Sequence, residues 1–152
     1  MTDTQFVYVT YIASTAEKVW KALTDADISG RYWGNSNVSD WKPGSPWKHV
    51  RPDAARTLAI VGNVVESTPP KRLVLTWAAP SEAANKAAYS RATFALEPIG
   101  DMVRLTVTHD QLKPGSDMLK GITDGWPRVL SSLKSYLETG RPLDVWAQAQ
   151  AA

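Results

Sequence analysis

Residues 116–140 read SDMLKGITDGWPRVLSSLKSYLETG and form the longest periodic segment of the sequence. Its apolar residues recur at steps of three and four, the pattern of a helix that buries one face. The apolar stripe consists of Met118, Ile122, Trp126, Val129, Leu130, Leu133 and Leu137. We therefore predict a long C-terminal helix from about Ser116 to Glu138, closed by Thr139-Gly140 and packed by its stripe on a sheet.

Pro127 follows the bulky Trp126 within this helix. A proline in a helix interior removes one backbone hydrogen bond and crowds the preceding turn. One interpretation is a bend at Gly125-Pro127, with Trp126 pointing inward at the elbow. The other is a helix that starts at Pro127, where proline is well tolerated, preceded by a loop or single turn. The sequence leaves both open.

Upstream of this helix the pattern predicts one strand, two short helices and six strands. Residues 5–13 alternate as a strand, and Ser14 with Glu17 forms a capping box that starts the first helix. The second helix ends near Gly34. Further strands are predicted in residues 37–50 (a hairpin turning at Pro43-Gly44), 56–67, 71–79, 90–98 and 102–110. Residues 82–89 are predicted to be a loop or a weak helix tip. Strands grouped apart from helices indicate an α+β fold with an antiparallel sheet.

The strand at residues 102–110 alternates cleanly. Val103, Leu105, Val107 and His109 share one face. His109 therefore either projects into a cavity, where it could orient a ligand or move a proton, or is a core histidine satisfied by the backbone. It is the one weak catalytic candidate, with Tyr89 or His49 as the partner that an acid/base pair would need.

Composition limits the classes of function. The 152 residues form a single predicted domain (1–152), with an ordered core at about 5–140 and a loosely held tail at 141–152. Trp146 in that tail would dock on another chain or be disordered. A net charge of +2 with mixed signs argues against nucleic-acid binding. The N-terminus has neither a signal-peptide pattern nor a membrane span, so a cytoplasmic protein is expected.

Motifs for metal, cofactor or covalent chemistry are missing from the sequence. It has no cysteine, and its two histidines lack metal-ligand spacing, so we expect no metal and no cofactor. Neither a nucleophile elbow nor a phosphate-binding glycine loop is present.

Three phrases carry a resemblance to a known family: SDWKPGSPW (39–47), ESTPPKRLVLTW (66–77) and GWPRVLSSLKSYLETG (125–140). Together with the order of elements, they resemble the START-like (SRPBCC) superfamily, and within it the bacterial proteins related to the activator of heat-shock-protein-90 ATPase, C-terminal domain. The resemblance spans Phe6 to Arg141. It implies a helix-grip fold, in which a curved antiparallel sheet wraps around the long helix. Members include ligand carriers, cyclase-like enzymes and chaperone regulators, so the fold alone does not give the function.

The helix-grip fold implies a cavity between sheet and long helix, bordered by the second helix and the early strands. Seven tryptophans in so short a chain favour a partly open aromatic pocket, since each indole N–H needs a partner. The alternative is that the aromatic residues fill the space. The predicted ligand-binding residues are Trp33, Trp47, His49, Trp77, Tyr89, His109, Met118, Ile122 and Trp126.

Three hypotheses of function follow. The first is binding of an apolar small molecule, such as a lipid, an aromatic compound or a polyketide. The second is a cyclase or dehydratase that uses His109. The third is regulation of a chaperone ATPase by protein contact, and a homodimer is also possible.

Overall fold

A computed structural model describes residues 4–147 of the chain. The strands are β1 (Thr4–Ile12), β2 (Ser36–Val38), β3 (Pro46–Val50), β4 (Leu58–Thr68), β5 (Arg72–Trp77), β6 (Ser90–Ile99) and β7 (Met102–Leu112). The helices are α1 (Ala16–Thr24), α2 (Ala26–Trp33) and α3 (Asp117–Thr139). Two single 3₁₀ turns, Pro80–Glu82 and Lys86–Ala88, occupy the segment predicted to be a loop or helix tip. The predicted order of elements is confirmed.

All seven strands pair antiparallel in one curved sheet, in the order β1-β7-β6-β5-β4-β3-β2. The chain starts at one edge with β1, crosses through α1 and α2 to the other edge, and returns strand by strand. Helix α3 then packs across the concave face. This is the α+β helix-grip arrangement that the sequence predicted.

The sequence misplaced the start of α1 by one residue. Thr15, not Ser14, is the N-cap: its backbone is extended and its hydroxyl accepts a hydrogen bond from the Lys18 amide, at 3.2 Å. Because Ser14 closes a turn to Ile12, it stands before the helix and cannot cap it. The second helix ends as predicted, with Gly34 in the left-handed conformation at its C-cap.

Helix α3 is continuous from Asp117 through Pro127 to Thr139. The alternative of a loop before Pro127 is therefore wrong. Ser116 caps the N-terminus by accepting from the Leu119 amide, and Gly140 closes the C-terminus in the left-handed conformation. Of the predicted stripe, Ile122, Trp126, Val129, Leu130 and Leu133 are buried, while Met118 and Leu137 are partly buried against the core.

The core lies between α3 and the concave face of the sheet. Val103, Leu105, Val107 and His109 of β7 all point into it, as the alternation predicted. The opposite face of β7 carries Arg104 and its neighbours toward solvent.

Residues 141–147 bind to α3, contrary to the prediction of a loosely held tail. The Ser132 hydroxyl accepts from the Leu143 amide at 2.9 Å, and the Arg128 guanidinium donates to the Val145 and Ala147 carbonyls at 3.2 and 3.1 Å. Val145 is buried. We call residues 141–147 the strap. Residues 148–152 of the predicted tail lie outside the described residues.

Candidate functional site

A cavity of about 790 Å³ opens between the sheet and the N-terminal half of α3. Its size falls within the usual range for sites that bind small molecules. Its apolar lining includes Trp33, Ala59, Ile60, Trp77, Leu112, Met118, Ile122, Trp126, Val129 and Trp146. Six separate parts of the chain, namely α2, β4, β5, β7, α3 and the strap, therefore supply its apolar wall.

Three tryptophans from three elements form the flat part of this wall. Trp33 comes from the end of α2, Trp77 from the end of β5 and Trp126 from the middle of α3. The ring centroids of Trp33 and Trp126 are 5.4 Å apart, and those of Trp77 and Trp126 are 5.3 Å apart. These tilted and edge-on contacts are favourable aromatic geometries and hold the three rings in fixed orientations.

A row of hydrogen bonds runs through His49, which packs against Trp33 and Trp77 of this wall. The Asn37 side-chain amide donates to the Leu23 carbonyl at 2.9 Å, so its oxygen must be the atom that faces His49 Nδ1, at 2.7 Å. An amide oxygen only accepts, so Nδ1 carries the proton and Nε2 has the free lone pair. Nε2 lies 3.3 Å from the Asn35 amide nitrogen, which donates to it. Both His49 and Asn35 line the cavity.

A second row of hydrogen bonds runs through His109. The Trp126 indole N–H, which can only donate, points to His109 Nδ1 at 3.1 Å. His109 therefore carries its proton on Nε2 and donates it to the Ser90 hydroxyl at 2.7 Å. Ser90 in turn donates to the Trp77 carbonyl at 3.1 Å. His109 thus joins β7, β6, β5 and α3 in one hydrogen-bonded chain.

Both imidazoles are held neutral. Burial, followed by the nearby positive charge of Arg51, lowers the pKa of His49 to about 3. Burial also lowers the pKa of His109 to about 4, although the adjacent Asp110 carboxylate raises it slightly. Neither ring is therefore protonated at neutral pH, and neither is a strong base.

Trp146 of the strap closes one side of the cavity. Its indole N–H donates to the Trp33 carbonyl at 2.9 Å. The ring passes close over Gly34, where an added Cβ would come within 2.9 Å of Trp146 Nε1. Trp146 remains about half exposed, so it forms the outer edge of the aromatic wall.

Charged residues are confined to the outer part of the cavity lining. Arg51, Glu82, Lys113 and Asp117 all line it and are all exposed. Two of these side chains are positive and two are negative, so the mouth of the cavity has no net charge that would attract cations or anions. The buried part of the lining is aromatic, aliphatic or neutral polar.

The structure brings six of the nine predicted site residues to the cavity. They are Trp33, His49, Trp77, Met118, Ile122 and Trp126. The other three, Trp47, Tyr89 and His109, do not line it.

Trp47 is sealed in the core because its ring lies over Gly62. A Cβ at Gly62 would meet Trp47 Nε1 at 2.6 Å, and the indole N–H donates to the Thr76 carbonyl at 2.8 Å. Tyr89 turns toward the 3₁₀ segment and donates its hydroxyl proton to the Ala83 carbonyl at 2.8 Å. His109 is fully buried and both of its ring nitrogens are hydrogen-bonded. It is therefore the core histidine that the sequence allowed, although its partners are the side chains of Ser90 and Trp126 and not the backbone.

The sequence interpretation missed Asn35, Asn37, Ser90 and Trp146. Ser90 could have been found, because Ser90, Ala92 and Phe94 alternate on the inward face of β6. Asn37 is a buried amide in a strand of three residues, which is too short to show a period. Trp146 lies beyond the last periodic segment, so no pattern could place it.

Between residues 4 and 147, no group of three histidine, aspartate or glutamate side chains is arranged to hold a metal ion. No helix within that same range combines the length and apolarity needed to cross a membrane.

Comparison with known proteins identifies the relatives of this fold. The sequence model of the family described as Activator of Hsp90 ATPase homolog 1-like protein matches residues 13–138. No curated protein sequence gives a significant match. The START-like resemblance carried by the three sequence phrases is confirmed.

Solved structures share the fold at low sequence identity. The Aha1 dimer from Colwellia psychrerythraea superposes with a TM-score of 0.75 at 22% identity, over 90% of this chain and 98% of that one. An HSP90 activator from Plasmodium falciparum gives 0.72 at 21% identity, over 91% and 97%. CalU16 from Micromonospora echinospora gives 0.69 at 20% identity, over 91% and 78%. At these identities the likeness is one of fold.

Proposed function

This chain belongs to the Activator of Hsp90 ATPase homolog 1-like family, and from that premise we propose that it binds an apolar, mainly aromatic small molecule in the cavity between the sheet and α3. The observation that carries the proposal is the cavity itself: about 790 Å³ of space bounded by Trp33, Trp77 and Trp126, with every charged lining residue exposed. A core built only for stability would cover these aromatic walls with other side chains, because apolar surface that stays in contact with water gains no free energy of burial.

The hydrogen bonding of the wall supports binding over catalysis. His109 has no free nitrogen, and the low pKa of both histidines leaves them weak proton acceptors. Tyr89 lies away from the cavity lining. His109 therefore does not form, with Tyr89 or with His49, the acid/base pair that a cyclase or dehydratase would need.

Native mass spectrometry of the purified protein tests the proposal. We expect a population heavier than the bare chain by a few hundred daltons, which loses that mass after denaturation and extraction with organic solvent. A variant with Gly121→Trp, designed to fill the cavity from α3, should lose the heavier population while remaining folded by circular dichroism. Failure of the wild-type protein to retain or take up any of a panel of aromatic compounds would contradict the proposal.

A second candidate is regulation of an Hsp90-type chaperone ATPase by direct contact. The observation that favours it, beside the family, is an exposed apolar strip of Val7, Val9 and Tyr11 on the outer face of the edge strand β1. We also propose this strip as the contact of the homodimer that the sequence left possible. Adding the protein to a purified bacterial Hsp90 should then raise its ATPase rate, and Val9→Lys should abolish the rise. An unchanged rate would remove this candidate and leave the first untouched.

A further inference from the structure

Most of the buried polar groups near the cavity already have partners. The Ser90 hydroxyl gives its only proton to the Trp77 carbonyl and accepts from His109. The Trp146 indole N–H is taken by the Trp33 carbonyl, and that of Trp126 by His109. None of these protons is left for a ligand. The buried Trp77 indole N–H has no partner, but it can only donate, so a lone pair for a ligand's donor group must come from another residue.

That group is His49, whose Nε2 edge faces the cavity. Nδ1 is bound to Asn37, which lies behind the wall, whereas Nε2 is turned toward Asn35, which lines the cavity. The contact with Asn35 is long, at 3.3 Å, and Asn35 is half-buried and has water as an alternative partner. A better donor that enters the cavity can therefore replace Asn35 at Nε2 with little loss.

The chain of hydrogen bonds fixes the character of Nε2. Because Asn37 must present its oxygen to Nδ1, Nε2 holds a lone pair and can only accept. A lone pair attracts a ligand O–H or N–H and repels the oxygen of a carboxylate. Burial and the charge of Arg51 oppose the protonation that would reverse this preference, since they hold the pKa of His49 near 3.

The aromatic surroundings of His49 define the rest of the ligand. The ring of Trp33 packs edge-on against the imidazole, with centroids 4.7 Å apart, and Trp77 lies 6.3 Å from it. A molecule that reaches Nε2 must therefore lie along indole surfaces. Flat rings make the largest contact there.

From this geometry we infer that the ligand is an uncharged planar molecule bearing a hydroxyl group, and that this hydroxyl donates a hydrogen bond to Nε2 of His49. The inference rests on the proposed function and names the chemical class that the same cavity selects. A phenol fused to a second ring is the simplest member of that class.

Three probes of nearly equal shape test the inference by calorimetric titration at pH 7. We expect 2-naphthol, a donor, to bind about three- to tenfold more tightly than 2-methoxynaphthalene, which cannot donate; this ratio corresponds to one net hydrogen bond. The anion 2-naphthoate should bind most weakly. If none of the three binds, the proposed function fails. If the first two bind equally, or if naphthoate binds best, only the present inference fails.

Nitrogen-15 NMR of the two imidazoles gives a second readout that needs no substitution. In the free protein we expect opposite tautomers, with the proton on Nδ1 of His49 and on Nε2 of His109. Saturating 2-naphthol should shift the His49 Nε2 resonance toward lower frequency, as donation to a lone pair does, and 2-methoxynaphthalene should not. A proton found on Nε2 of free His49, or an unmoved resonance with bound naphthol, would overturn the assignment.

A pair of variants locates the preference in the imidazole. His49→Phe keeps a flat ring but has no acceptor, so the ratio between naphthol and methoxynaphthalene should fall to about one. Asn35→Ala removes the competing donor and should keep or increase the ratio. A ratio that survives in folded His49→Phe would contradict the inference. Should that variant not fold, the NMR measurement on the wild-type protein still decides.

Discussion

His49 and His109 are buried neutral, and this makes the stability of the protein depend on pH. Both pKa values lie below that of an unfolded histidine, so the unfolded chain takes up protons first as the pH falls below about 6.5. Above that pH both states are unprotonated and the free energy of unfolding is unaffected. Below it the free energy of unfolding falls, until the pH reaches the folded-state pKa values of about 4 for His109 and about 3 for His49. Between pH 7 and 5 we expect the free energy of unfolding to drop by about 2 kcal/mol for each histidine.

Urea denaturation at several pH values checks this expectation. The range stops at pH 5 because carboxylates whose pKa is lowered by folding, such as that of Glu138, remain mostly ionised there in both states and add little to the pH dependence. His109→Gln should remove about half of the pH dependence even if it lowers stability throughout. A wild-type stability that stays constant from pH 7 to 5 would show that the histidines are not held neutral.

Gly62 is required because two other groups occupy the space where a side chain would begin. A Cβ there would meet the Thr76 carbonyl oxygen at 1.9 Å and the Trp47 indole nitrogen at 2.6 Å. We expect Gly62→Ala to cost about 2–3 kcal/mol of stability, the usual penalty for overpacking, because backbone must move.

The matched control is Gly121→Ala on α3, where a Cβ meets nothing within 4 Å. There alanine should be neutral or stabilise by up to about 1 kcal/mol. Equal effects in urea denaturation would contradict the packing described.

At the level of single residues, sequence periodicity located the inward-facing side chains but not their surroundings. Alternation on β7 placed His109 inside, and it is inside. Alternation could not distinguish a cavity wall from a sealed core, because that depends on which elements pack over the residue. Trp47 and Trp77 share the interior, yet only Trp77 lines the cavity.

At the level of elements, α3 shows how a proline is accommodated in a continuous helix. Pro127 has no amide to give to the Thr123 carbonyl, four residues earlier, and it lies at a half-buried position. Trp126 beside it is anchored by His109 and by its contacts with Trp33, Trp77 and Phe94. Tertiary packing therefore stabilises the helix across the missing bond. The sequence could not reveal this, since these partners come from distant segments.

The strap is the element that the sequence misjudged most. Its hydrogen bonds join α3 side chains to backbone groups of residues 141–147, and such contacts leave no hydrophobic period in the sequence. Its one large side chain at the cavity, Trp146, forms an outer wall with a bond to Trp33. The strap therefore connects the C-terminal part of the chain to the candidate site.

Trp146→Ala should weaken ligand binding while the protein stays folded. The side chain is about half exposed, so losing its buried half and its bond to Trp33 should cost the fold about 2–3 kcal/mol, while the cavity loses part of its aromatic wall. We expect 2-naphthol to bind about three- to tenfold more weakly and to dissociate faster, measured by stopped-flow tryptophan fluorescence.

The matched control for this variant is Leu143→Ala. Leu143 lies on the same strap and is equally exposed, but it does not line the cavity. Its replacement should leave the dissociation rate unchanged. A Trp146→Ala protein with wild-type affinity and kinetics would show that the strap is structural only.

At the scale of the whole molecule, the fold was predictable because its signals are long and regular. The 23-residue α3 and the long strands β6 and β7 each show a clear hydrophobic period, and the order of elements favoured one architecture. The cavity was predictable only as a consequence of that architecture. Side-chain packing across α2, β3, β5 and α3 determines the volume of the cavity and the hydrogen bonds in its wall. The same packing keeps His109 out of the cavity lining.

The sheet and α3 enclose the cavity in which we propose that an aromatic ligand binds. Titration of nitrogen-15-labelled protein with 2-naphthol, followed by amide and indole resonances, tests this proposal. We expect saturable shifts at the indole N–H groups of Trp33, Trp77 and Trp126 and at the amide of Ile122, with the outer strip of Val7 and Val9 unmoved. Shifts confined to that outer strip, or no saturable shift at any residue, would contradict the proposal.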